Sequence, residues 1–215
     1  MVEPAPARQI AKDSIPHHDE HSDPVGAKMG MWLFLFTEIV LFGGMFLLYT
    51  MYLTRYRNSF IQCSEELSLP SGVANTILLL TSSLTVAMSI TALRRNRRRA
   101  SMLLLAVTLV CAVGFFVIKY FEWAHKFHLG IYPNSPQLIQ LGFGTTMYYG
   151  LYFVMTGLHA LHVLIGVAVL AVMLVMVYRG SINPERYIAL ENGGLYWHLV
   201  DLVWIFLFPL FYLVT

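Results

Sequence analysis

The sequence predicts an all-α, polytopic membrane protein, a bundle of five transmembrane helices with its amino terminus cytoplasmic and its carboxyl terminus external. Three observations predict it. Of the 215 residues, 57% are apolar and 12% charged, with a mean hydropathy of +0.63, so lipid rather than water faces most of the surface. Apolar runs long enough to cross a bilayer recur along the chain, which a single cleavable leader does not explain. Lys and Arg gather on alternate connections, with ten of the fourteen on the side of the amino terminus, the bias that sets orientation. The net charge of +2 is small, no nucleic-acid signal is present, and Cys63 and Cys111 lack the spacing of metal ligands or a disulfide framework.

Residues 1–28 are rich in proline and acids, have no apolar periodicity, and read as a disordered or extended cytoplasmic tail. His17, His18 and His21 lie in it without the held geometry that a metal site needs. Residues 29–215 form the five-helix domain. The first span, 29–53, holds one acidic residue, Glu38, beside Thr37. A polar loop with Arg55, Arg57, Glu65 and Glu66 precedes the second span, 73–93, which the cluster Arg94, Arg95, Arg97, Arg98 and Arg99 stops. The third span, 102–121, runs into a wet aromatic stretch with Trp123, His125, Lys126 and His128, then a turn marked by Pro133 and Pro136. The fourth, 145–178, amounts to roughly 50 Å of helix at 1.5 Å per residue and must tilt or protrude. The fifth, 195–214, closes the chain. Trp123, Tyr132, Tyr148, Tyr149, Tyr196 and Trp197 fall near these boundaries, where amphipathic rings anchor at headgroup level.

The informative residues are polar groups inside the hydrocarbon. Glu38 falls about 14 Å of rise into the first span, near the midplane, where an acid costs about 2.5–3.5 kcal/mol and must face the bundle, be protonated or find a partner. Two roles stay open for it, a proton-linked site and a hydrogen-bonded packing residue. His159 and His162, three apart, share one side of the fourth helix and are partners for such an acid. A haem b anchor built on His159, His162 and His198 is the reading of another class, but the ligand set is incomplete and interhelical hydrogen bonding accounts for the histidines better. His198 and Asp201, beside Trp197, share a face of the last span and suit either a shared proton or an interhelical clamp. A small proton-coupled transporter using Glu38 ranks last, with no internal repeat and only Pro209 interrupting a span.

Four segments carry a family resemblance: WLFLFTEIVLFGGMF from Trp32 to Phe46, NTILLL from Asn75, TGLHALHVLIG from Thr156 to Gly166, and ENGGLYWHLVDLVWIFLF from Glu191 to Phe208. In order and chemistry they resemble subunit III of cytochrome c oxidase, and the third span with its FEWAH ending at His125 is compatible. The resemblance implies an accessory subunit of a proton-pumping haem-copper terminal oxidase in aerobic respiratory electron transport. Such a subunit has no catalytic centre of its own, and haem and copper reside in partner subunits. It implies packing on subunit I, with subunit II, a small subunit IV or a larger supercomplex nearby, in a bacterial cytoplasmic membrane. It implies bound phospholipid and support of proton uptake and active-site stability. By resemblance, Glu38 matches the family's buried carbodiimide-reactive glutamate, and His159, His162, Trp197, His198 and Asp201 match its other membrane-embedded polar positions. Arg179, with Glu38 and His162, is implied in lipid binding. Relative to the family's seven-span form the chain is expected to start at the third span, which puts that form's lipid cleft in question. Five-span relatives occur with quinol oxidases and nitric oxide reductases; Glu38, where the quinol type carries Asp, favours the cytochrome c type.

Overall fold

The structure, a computed structural model, describes residues 24–214; His17, His18 and His21 lie outside them. The chain runs as α1 (Pro24–Arg55), α2 (Arg57–Glu65), α3 (Leu69–Arg94), α4 (Arg98–His128), α5 (Pro136–Gln140), α6 (Phe143–Arg179) and α7 (Ile188–Tyr212), with no strand among the described residues. Of these, α1, α3, α4, α6 and α7 are long and apolar enough to span a membrane. They alternate in direction, so the starts of α1, α4 and α7 share one end of the bundle with the finishes of α3 and α6.

The long helices α3, α4, α6 and α7 pack in a ring, each against the next, and α1 lies outside it on α6 and α7. Close approach is built where side chains are absent. A Cβ on Gly166 would stand 2.8 Å from the Trp197 ring, so that glycine lets α7 press its indole onto α6. Gly43 and Gly44 on α1 serve no such approach: a Cβ added at either would meet nothing within 4 Å.

Several boundaries differ from the sequence expectation, each for a physical reason. Residues 24–28, assigned to the tail, begin α1, where Lys28 forms a 2.8 Å ion pair with Glu191 at the start of α7. The polar loop after the first span contains α2, whose Phe60, Cys63 and Ser64 are buried at helical spacing. Too short and polar to register as a hydrophobic run, α2 packs against α6 and α7. The wet stretch after the third span is not a connection but the last turns of α4. Tyr148, Tyr149, Tyr196 and Trp197 are not headgroup anchors: all are buried, because they lie on the inward sides of α6 and α7.

Helix ends inside the protein have their carbonyls satisfied by side chains, as buried termini require. The last turn of α7 receives the hydroxyls of Tyr49 at the Leu210 carbonyl and of Tyr148 at the Phe211 carbonyl, the latter at 2.8 Å. At the opposite end of the bundle, Arg98 donates through Nε to the Val177 carbonyl at 2.8 Å and through Nη2 to that of Tyr178, capping α6 with a cation.

Candidate functional site

Polar side chains occupy the middle of almost every long helix. Glu38 sits at the midpoint of α1, and its Oε2 lies 2.9 Å from Nε2 of His162, near the midpoint of α6. The two side chains are 13% and 11% exposed, so the acid meets an imidazole rather than acyl chains. His162 is fixed further by Nδ1 at 2.7 Å from the Leu158 carbonyl and by the edge of the Phe42 ring, 5.3 Å between centroids. Because a carbonyl only accepts, Nδ1 carries a proton. Nε2 then either accepts from a protonated Glu38 or, as imidazolium, donates to its carboxylate; both arrangements contain one shared proton and no net charge.

The second set lines α3 and α7. Trp197 donates to Ser82 Oγ at 2.9 Å, Trp204 to Thr76 Oγ1 at 3.0 Å, and Nδ1 of His198 lies 2.6 Å from Ser83 Oγ. His198 thus ties α7 to α3, the interhelical arrangement, and shares no proton with Asp201, whose buried carboxyl has Ser83 as its polar neighbour. His159 is wholly buried, its nitrogens without hydrogen-bond partners, against the rings of Phe115 and Trp204. Arg179 does not join Glu38 and His162: it ends α6, about 25 Å of helical rise beyond His162.

A third set was not anticipated from the sequence. Lys119, near the end of the third span, and Lys126, in the wet stretch after it, are 4% and 3% exposed. Lys119 Nζ lies 3.2 Å from Glu122 Oε1 and 2.8 Å from the Tyr212 hydroxyl, while Tyr152 and Tyr212 both donate to Glu122. Ser71 donates to the other oxygen of Glu122 at 3.0 Å. Lys126 reaches Glu66 Oε2 at 3.7 Å and the Tyr149 hydroxyl at 3.2 Å; Tyr149 in turn donates to Glu66 at 2.5 Å. The signal was present: residues 119, 122 and 126 lie at i, i+3 and i+7, one stripe of α4. Nearby on α2, burial pushes the Cys63 thiol up to about 11.

Among the described residues, no three His, Cys, Asp or Glu side chains gather as a metal site. Both nitrogens of His162 are engaged and His159 is walled by aromatic rings, which leaves the haem anchor without an axial pair from the fourth span. The fold and these sets define a class, a multi-pass membrane helix bundle whose mid-helix carboxylates and histidines are paired or sequestered between its own helices.

The profile of "Cytochrome c oxidase subunit III" matches residues 6–215. The chain is 31% identical over 206 residues to "Cytochrome c oxidase subunit 3" of Alkalihalophilus pseudofirmus, covering 93% of each. It is 28% identical over 189 residues to "Probable quinol oxidase subunit 3" of Staphylococcus saprophyticus, covering 87% of this chain and 88% of that protein. It is 29% identical over 220 residues to "Heme-copper oxidase subunit I+III" of Aeropyrum pernix, covering 96% of this chain and only 25% of that longer protein. The chain belongs to the cytochrome c oxidase subunit III family.

Proposed function

We propose that this chain serves as the subunit III of a haem-copper terminal oxidase, holding no redox centre itself, packing on subunit I and supporting proton uptake and active-site stability while the complex reduces oxygen. The observation that carries this is the Glu38–His162 pair, a one-proton unit at mid-membrane depth inside a chain that matches the family along nearly its whole length. A direct contact with subunit I is supported by the Aeropyrum pernix relative, whose name joins the two subunits in one chain. Subunit II, a small subunit IV or a supercomplex would complete the assembly in a bacterial cytoplasmic membrane, with haem and copper in those partners. The charge bias favours an amino terminus inside. Glu38 in place of Asp favours cytochrome c over quinol as donor, and the quinol-type relative keeps the second reading within the family.

The separation of Arg179 from Glu38 and His162 fits a phospholipid only in an extended manner, its phosphate at the end of α6 and its chains reaching down past the pair. The deciding experiment is purification of the complex through a tag on this chain, with spectra of the complex and of the isolated chain. Haem in the complex, none in the isolated chain, and a deletion strain whose oxidase turns over but inactivates faster are the expected results. Loss of all haem from the oxidase on clean deletion, or haem in the isolated chain, would overturn the proposal.

A further inference from the structure

The basic turn between α3 and α4 holds more than a topological signal. Of its five arginines, Arg98 is committed to the α6 carbonyls and Arg94 lies over the Tyr187 ring at 5.2 Å. Arg95 and Arg97 are exposed, and among the described residues no carboxylate pairs with them. Both stand at the mouth of a groove of about 370 Å³ whose walls come from α3 and α4. Its sides are Ala87, Met88, Ala92 and Thr91, whose hydroxyl is turned to the Ala87 carbonyl, from α3 and Ala100 and Leu104 from α4. The alanines leave room between the helices, so the groove passes from two guanidinium groups at the bundle end to an apolar wall within the spans.

We propose that this groove is a binding site for an anionic phospholipid, with the phosphate held by Arg95 and Arg97 and an acyl chain lying along Ala87, Ala92, Ala100 and Leu104. Charge complementarity selects the occupant. Two unpaired guanidiniums present planar donors that match a phosphate bidentately, and a cationic pocket between spanning helices is the usual setting for an acidic lipid headgroup. Free phosphate would leave the apolar wall uncovered. The acids Asp19, Glu20 and Asp23 of the amino-terminal sequence are the competing occupant, but they bring no acyl chain to fill the groove. The site uses none of Glu38, His162 or Arg179 and stands apart from the function proposed above.

The test uses the full-length chain in mild detergent, titrated with phosphatidylglycerol, with phosphatidylcholine of the same acyl chains, and with inorganic phosphate, the bound lipid being counted by native mass spectrometry. Phosphatidylglycerol is expected to bind preferentially, and R95Q/R97Q to weaken it roughly 30-fold, at about 1 kcal/mol for each arginine. R95K/R97K, which keeps the charge but not the planar fork, should bind at a level between the native chain and R95Q/R97Q, and Ala100→Leu, which fills the groove without touching charge, should lose it. Arg186→Gln, a charge removed at the same end outside the groove, should change affinity by about twofold or less. Equal retention of phosphatidylcholine, full displacement by inorganic phosphate, an Arg186→Gln loss matching that of the double variant, or lipid binding only after Asp19, Glu20 and Asp23 are neutralised would each overturn the proposal.

Discussion

His162 and Glu38 meet across the α1–α6 interface at 2.9 Å, each at the middle of its helix, and the proton on His162 Nδ1 is committed to the Leu158 carbonyl at 2.7 Å. This contact ties the outlying helix α1 to the ring at a depth where neither group could be left exposed to lipid at low cost.

Replacement of Glu38 separates donor from charge. Glu38→Gln keeps an N–H to donate to Nε2 and is expected to change stability by less than about 1 kcal/mol, whereas Glu38→Ala strands a buried imidazole nitrogen and should cost about 1–3 kcal/mol. Thermal unfolding of the two variants in detergent checks this. Equal losses would mean that the pair is held by packing alone.

Lys119 and Glu122 are the pair whose breakage should be most damaging. Removing one partner leaves the other charge buried near Tyr152 and Tyr212, at a cost of about 3–5 kcal/mol for Glu122→Gln or Lys119→Met alone. The double variant, with no charge left, should recover most of that loss. A double-mutant cycle on unfolding midpoints measures the coupling, and additive losses would refute it.

Arg98 and Arg99 are neighbours in sequence with different expected effects. Arg98→Gln removes the cation from the last carbonyls of α6 and should cost ~1 kcal/mol and speed amide hydrogen exchange in the final turn of that helix. Arg99→Gln should leave exchange there unchanged. If the two variants exchange alike, the cap carries no energy.

Cys63 gives a pH dependence with a definite sign. Since its thiol is pushed up to about 11, the unreactive neutral form prevails below that value and only the thiolate attacks electrophiles. In a Cys111→Ser background, maleimide labelling of the folded protein should be slow at neutral pH and rise about tenfold per pH unit without levelling off before roughly pH 10. A plateau near pH 8 would show the thiol to be open to water.

How much of this was legible in the sequence depended on whether a signal is local. Five spans could be read from apolar runs because a bilayer imposes length on every helix independently. Glu38, His159, His162, His198 and Asp201 stood out for the same reason, each being costly in hydrocarbon wherever its neighbours lie. Lys119, Lys126 and Glu122 did not stand out. At the end of an apolar run a charge reads as a flank, and only the tyrosines of α6 and α7 and Glu66, meeting the last turns of α4, bury it. α2 was missed because nine residues without a hydrophobic run have no periodic signal strong enough to register, although three of them meet the core.

By itself the sequence determined the solvent, the number and order of spans, and which residues need sequestering, since transfer free energy is a property of each residue and its short surroundings. Tertiary structure alone decided the partners: that Glu38 takes His162, that His198 turns to Ser83 rather than Asp201, and that Arg98 rather than its neighbours caps α6. Hydrogen bonds act over about 3 Å, and groups 79 to 124 residues apart in the chain come within that range only once the helices have packed.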